Sequence, residues 1–187
     1  SADLVRAWLE GDWNVVEGAF FDAWSNRNVL RPMRLPDHWT RFRSFDWGSA
    51  RPFSVGWWAL ASEDLGTSQG RIPAGALIRF AEWYGSTGRS NEGMKLTAEE
   101  VAEGILKREQ GLTLHGSVAD PSIFAEDGGP SIAERMRRLG VVFQKADNTR
   151  VGGLGPLSGW DQMRARIRGV GERPLLYVFD TCRDFLR

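Results

Sequence analysis

Two apolar runs that end in aspartate constrain this chain more than any other feature. In RFRSFDWGSARPFSVGWWAL (41–60), Phe42, Ser44 and Asp46 alternate with Arg43, Phe45 and Trp47, the period of a half-buried strand. Gly48 and the turn residues Ser49 to Pro52 follow, and Phe53 to Leu60 reads as a second, strongly apolar strand. Further on, LTLHGSVAD (112–120) reads as another strand, ending at Asp120-Pro121. A strand that crosses a core does not finish in a carboxylate unless something compensates the charge.

The other segments fill out an α/β chain. SEDLGTSQGRIPAG (62–75) is polar and glycine-rich, hence a loop, and Ala76 to Tyr84 reads as a third strand, completing an antiparallel meander. Thr97 and Glu100 form a capping box at the start of a helix whose apolar face is Val101, Ile105 and Leu106. Ser131 and Glu134 open a second helix, with Ile132, Met136 and Leu139 turned inward and Gly140 closing it. A short strand at Val141–Phe143, a helix at Ser158–Ile167 carrying Arg164, Arg166 and Arg168, and a last strand at Leu175–Phe179 complete a mixed sheet with helices on its faces. Residues 1–40 hold Trp8, Trp13, Phe20, Phe21, Trp24 and Trp39 between Gly11, Gly18, Pro32 and Pro36, without a sustained period. They read as an approach segment wrapped around a core made by later residues.

Composition narrows the function classes. A chain of 187 residues fits one domain, and no run of eighteen apolar residues marks a membrane span. The first residues do not read as a signal peptide, and the lone Cys182 excludes a disulfide framework and a cysteine-rich zinc site, so an intracellular protein is the natural reading. Net charge is zero, which argues against a surface covered in nucleic-acid contacts. Residues 134–187 nevertheless hold eleven basic and six acidic side chains, and 21 of the 24 basic residues are Arg. The arginine fork suits phosphate, although a genomic bias toward Arg gives the same count.

If the strands ending at Asp46 and Asp120 are adjacent and parallel, both carboxylates emerge at one sheet edge and can share a divalent cation. An oxygen-only donor set favours Mg²⁺ or Mn²⁺, and His38 and His115 are too few for a histidine-rich site. An Asp before Gly or Pro also serves as a simple turn residue, capping its own backbone. Glu82 is either an edge charge or a further contributor, while Asp64, Glu126 and Asp127 sit in hydrophilic loops. In KADNTR (145–150), Asp147 follows a strand, and Lys145, Asn148 and Arg150 suit contacts to a phosphate backbone. The run GGLGPL (152–157) lacks the GK[ST] ending of a P-loop, so nothing supports ATP hydrolysis. Two histidines define no Ser-His-Asp arrangement.

Several stretches together resemble the C-terminal nuclease domain of the tailed-bacteriophage terminase large subunit. They are WLEGDW with GAFF (8–21), FDWGSARPFSVGWW (45–58), EWYG (82–85), VADPSIF (118–124), GGPSIAERM (128–136), KADNTR (145–150) and LLYVFDTCRDFLR (175–187). The resemblance implies an RNase H-like fold, a central mixed sheet flanked by helices. It also implies divalent-metal-dependent cutting of concatemeric double-stranded viral DNA in the host bacterial cytoplasm. Partners would be the DNA and, through the full-length protein, the terminase small subunit and the portal or procapsid, with no membrane. Asp46 corresponds to the family's first catalytic, metal-binding aspartate and Asp120 to its second. Residues 1–40 would be a linker from an absent ATPase domain, and residues 41–187 the nuclease domain. The family's third carboxylate lies in a later motif of the EDH…D…RY kind, which this sequence lacks. Either the chain is a piece of a longer subunit, cut inside the apolar helix CRDFLR, or Asp180 or Asp184 substitutes. Two other readings stay open: another RNase H-like nuclease such as a junction resolvase, and a non-catalytic DNA-binding or capsid-docking module.

Overall fold

The computed structural model describes residue 21 and residues 23–147, 159–171 and 173–186. Most of the approach segment, together with Asn148, Arg150, the run 152–157 and Ser158, lies outside the described residues.

The alternating run at the heart of the sequence becomes strand β2 (Thr40–Asp46), preceded by a short β1 (Val29–Leu30) and followed by β3 (Ser54–Leu60). A small hairpin of β4 (Leu65–Thr67) and β5 (Gly70–Ile72) leads into β6 (Leu77–Tyr84). Helix α1 (Ala98–Arg108), β7 (Gly116–Ala119), α2 (Ile132–Arg138), β8 (Gln144–Lys145), α3 (Gly159–Arg168) and β9 (Leu176–Phe179) follow in order. Among the described residues the main sheet has seven strands, in the order β1-β9-β6-β3-β2-β7-β8. β2, β3 and β6 form the antiparallel meander, while β7, β8, β9 and β1 add in parallel. Parallel additions need crossovers, and α1, α2 and α3 occupy the chain between β6 and β7, β7 and β8, and β8 and β9.

Alternation sorts the side chains to two faces. Phe45, Val55 and Trp57 join Val101, Ala102 and Ile105 of α1 and Met136 of α2 in one core. On the other face, Trp58 and Leu176 pack with Phe42, Phe185 and Met163 and Ile167 of α3. A third cluster gathers Leu30, Leu35, Trp39, Ile72, Ile78 and Val178 beside β1 and β9. The approach segment is therefore more than a wrapping: β1 extends the sheet, and Trp39 is fully buried.

Helix α1 carries the expected capping box. Glu100 N–H donates to Thr97 Oγ1 at 3.2 Å, and Thr97 N–H donates to Glu100 Oε2 at 2.8 Å. The helix lies close over β6, since a Cβ at Gly104 would stand 2.2 Å from the Trp83 ring.

Four local expectations are corrected. The glycine-rich loop contains the β4–β5 hairpin, whose Ile72 fills the third cluster. Val141 and Phe143 are buried but outside the ladder, because Val141 N–H is spent on Met136 O at the end of α2, and pairing with β7 starts at Gln144. Leu139 lies past the last turn of α2 and is exposed rather than inward. Residues 181–186 form turns, not a helix, with Phe185 folded back onto Trp58 at 6.0 Å between ring centroids.

One buried ion pair ties the layers together. Arg43 of β2 donates from Nη1 to both oxygens of Glu109, just past α1, at 2.8 and 2.7 Å. Its Nε donates to Ser117 Oγ of β7 at 2.8 Å, its Nη2 to Val142 O at 3.2 Å, and its plane covers Phe143 at 4.6 Å. Trp57 Nε1 of β3 donates to the same carboxylate at 2.8 Å. Removing one partner leaves a buried charge uncompensated. We expect Glu109→Ala to cost about 3–5 kcal/mol in urea unfolding; a loss under about 1 kcal/mol contradicts a structural role for the pair.

Candidate active site

The site follows from the pairing of β2 with β7. The strands are parallel, Phe45 stands opposite Ala119, and Asp120 N–H donates to Phe45 O at 3.1 Å. Asp46 and Asp120 are thus the next residues out on neighbouring strands, at the same edge. Phe45 and Ala119 lie in the core under α1, so alternation turns the two aspartates to the opposite face.

Their environments differ. Asp120 Oδ1 accepts from Ser122 N–H at 2.8 Å, capping the 3₁₀ turn Pro121–Phe124. That contact to Ser122 holds its carboxyl below the usual carboxylate range. The turn role read from sequence is real here, and it leaves the residue facing Asp46. Asp46 caps nothing. It is solvent-exposed at the end of β2. Its carboxylate has no hydrogen bond or ion pair among the described residues, and partial desolvation, then the negative charge of Asp120, push its carboxyl modestly upward.

The remaining acids are placed as follows. The Glu82 side chain is largely buried on β6, 3.4 Å from Arg79 Nη2, and accepts from the N–H groups of Asp184 at 2.7 Å and Phe185 at 3.1 Å. It is a fully engaged anchor for the segment after β9. Arg79 in turn lies over the Phe185 ring at 4.6 Å and in the space that Gly56 leaves, where a Cβ would come within 2.3 Å of Nη1. Asp180 is exposed at the end of β9, its N–H donating to Leu30 O at 2.9 Å, and Asp184 is exposed beyond it. Asp147 is exposed just past β8, on the same side of the sheet edge as Asp120, because Ala146 N–H donates to Ala119 O at 2.8 Å. Lys145, also exposed, pairs with Ala119 in the ladder. Among the described residues no group of three or more His, Cys, Asp or Glu side chains is placed to hold a metal ion. The strand register brings Asp46 and Asp120 together, with Ser54 opposite Asp46 on β3 and Tyr84 opposite Ser54 on β6. Neither partner was legible beforehand, because a long loop between β2 and β3 does not declare the register.

A mixed seven-stranded sheet in this strand order with helices on both faces is an RNase H-like fold. No protein-family model and no curated protein matches this sequence. Solved structures do match its fold. The large terminase of a thermophilic bacteriophage, in complex with ADP, is 18% identical, with a TM-score of 0.63 over 90% of this chain and 35% of that one. Another crystal form of that terminase is 19% identical, with a TM-score of 0.64 over 91% of this chain and 36% of that one. The nuclease domain of the phage P22 large terminase is 15% identical, with a TM-score of 0.56 over 91% of this chain and 76% of that one. The fold is that of the phage large-terminase nuclease domain, and the chain spans about a third of the length of the thermophilic phage's terminase. Among the described residues no helix is long and apolar enough to cross a membrane.

A carboxyl whose folded pKa is raised stabilises the fold only while protonated. The benefit is present below the unfolded value and lost as pH rises through the folded one, so ionised Asp46 costs stability at neutral pH. Asp46→Asn is expected to raise Tm at pH 7 without divalent cations by at most about 2 °C, because water screens the exposed carboxylate, with the gain shrinking as pH falls toward about 4. Thermal melts across pH check this, and a lower Tm for the variant at pH 7 contradicts it.

Proposed function

We propose that this chain is the nuclease domain of a phage terminase large subunit, a divalent-metal-dependent endodeoxyribonuclease that cuts concatemeric double-stranded viral DNA during genome packaging. The observation that carries the proposal is the unpartnered Asp46 carboxylate held against Asp120 at the edge of this fold. Structural acids in the same molecule are satisfied, as Glu82 and Glu109 are. Two carboxylates side by side at an open sheet edge, one of them without a donor, suit a shared cation.

The donor set is hard oxygen and fits Mg²⁺ or Mn²⁺, with Asp46 and Asp120 as two of its ligands. Bound there, the cation would supply water activation and stabilisation of the leaving oxygen. The chain's own residues hold and orient. The Ser122 contact fixes the Asp120 carboxylate, and the β2–β7 register fixes the distance between the two acids. Lys145 reads from sequence as a backbone-phosphate contact, but its register opposite Ala119 puts it on the α1 face, away from the two aspartates, so any phosphate it meets lies beside the site and not in it. Asn148 and Arg150 extend that role from sequence. Double-stranded DNA, the small subunit and the portal or procapsid are the partners of the full-length protein in this reading, in the host bacterial cytoplasm.

Purified protein is expected to nick and cut plasmid DNA with Mn²⁺, and Asp46→Ala to abolish cutting while its circular dichroism spectrum stays that of the parent. Undiminished cutting by the folded variant would overturn the site. Salt-sensitive DNA binding with no metal-dependent cleavage would instead make the domain a DNA-binding or docking module. Preference for branched over linear duplex would make it a junction resolvase.

A further inference from the structure

The row that contains Asp46 continues across the sheet. Asp46 pairs with Ser54 of β3, and Ser54 pairs with Tyr84 of β6. Residues directly opposed in antiparallel strands share a face. The flanking residues confirm which one, since Phe45, Val55 and Trp83 all lie in or against the core under α1. Ser54 and Tyr84 therefore stand on the same face as Asp46 and Asp120. With strands about 4.8 Å apart, Ser54 is roughly 5 Å and Tyr84 roughly 10 Å across the sheet from Asp46.

Both hydroxyls lack a hydrogen-bond partner among the described residues. One row further in, the matching serine is used: Trp58 Nε1 donates to Ser44 Oγ at 2.9 Å. Tyr84 is also one of the few large apolar side chains left open among the described residues, at 37% exposure. The edge thus has two acids at one end of a row and two unused neutral donors at the other. Carboxylates alone repel a phosphodiester, whereas a hydroxyl donates to its non-bridging oxygens without closing the cation site.

We propose that Ser54 and Tyr84 form a phosphate-gripping row, donating their hydroxyls to successive backbone phosphates of a DNA strand laid across β2, β3 and β6. Ser54 holds the phosphate beside the two aspartates, and Tyr84 holds the next one along. The row fixes the strand's position and carries no base preference. This inference rests on the nuclease reading, so its test is separable from cleavage.

The measurement is fluorescence anisotropy with a labelled short duplex, without divalent cations, across a salt series, for Ser54→Ala, Tyr84→Phe and the double variant. Each single variant is expected to weaken binding about three- to tenfold and the double variant more. The dependence of log affinity on log salt should stay unchanged, because no charge is removed. A folded double variant, matched to the parent in thermal melt, that binds like the parent overturns the proposal. If such a variant also cuts normally while Asp46→Ala does not cut, only the phosphate row falls. If the parent binds through these hydroxyls and never cuts with Mn²⁺, the row stands and the nuclease reading falls. A parent protein that does not bind duplex in this assay overturns the row, and the nuclease reading is then decided by Mn²⁺-dependent cutting.

Discussion

Register between β2 and β7 decides which side chains leave the sheet together, and the candidate site is a consequence of it. With Phe45 opposite Ala119, the next two residues outward are both aspartates on the solvent-facing side of the edge. A slip of one residue would put Asp46 in the place of Phe45, inside an apolar core, which the desolvation cost of a carboxylate forbids. The Arg43–Glu109 cluster guards the same register from below, because one guanidinium touches β7, the end of α1 and the segment before β8 at once. Core and site are therefore coupled through the backbone pairing of β2 and β7.

The partnering of the acids separates structural from chemical roles. The Glu109 and Glu82 side chains are largely buried and matched, each to an arginine and to further donors. Asp120 is matched on one oxygen by its own turn. Asp46 alone in this group is set against like charge with no partner among the described residues. Local instability of this kind persists when the surrounding fold over-determines it, and the six-stranded remainder of the sheet and the packing under α1 do so here.

Much of this was readable from local pattern. Alternation through Phe42–Asp46 gave the strand and its terminal acid, and the Thr97–Glu100 and Ser131–Glu134 spacings gave two helix starts that the structure keeps. What was not readable depended on pairing at a distance. The β4–β5 hairpin and β1 are two- or three-residue strands made by contacts with remote chain, too short for any period to show. β8 slipped because Val141 is spent on capping α2. Glu82 reads either as an edge charge or as a contributor near the site, and only the return of residues 184–185 across the sheet reveals its anchoring role. Ser54 and Tyr84 needed the cross-strand register of a meander, which no single segment encodes.

The central claim is that Asp46 and Asp120 act as one cation site. It is tested most directly by Mn²⁺ titration, following free Mn²⁺ by electron paramagnetic resonance, for the parent, Asp46→Asn, Asp120→Asn and the double variant. The account predicts that either single substitution removes most of the binding and that the second adds little, the signature of two ligands on one ion. Binding that survives intact in the double variant would contradict it.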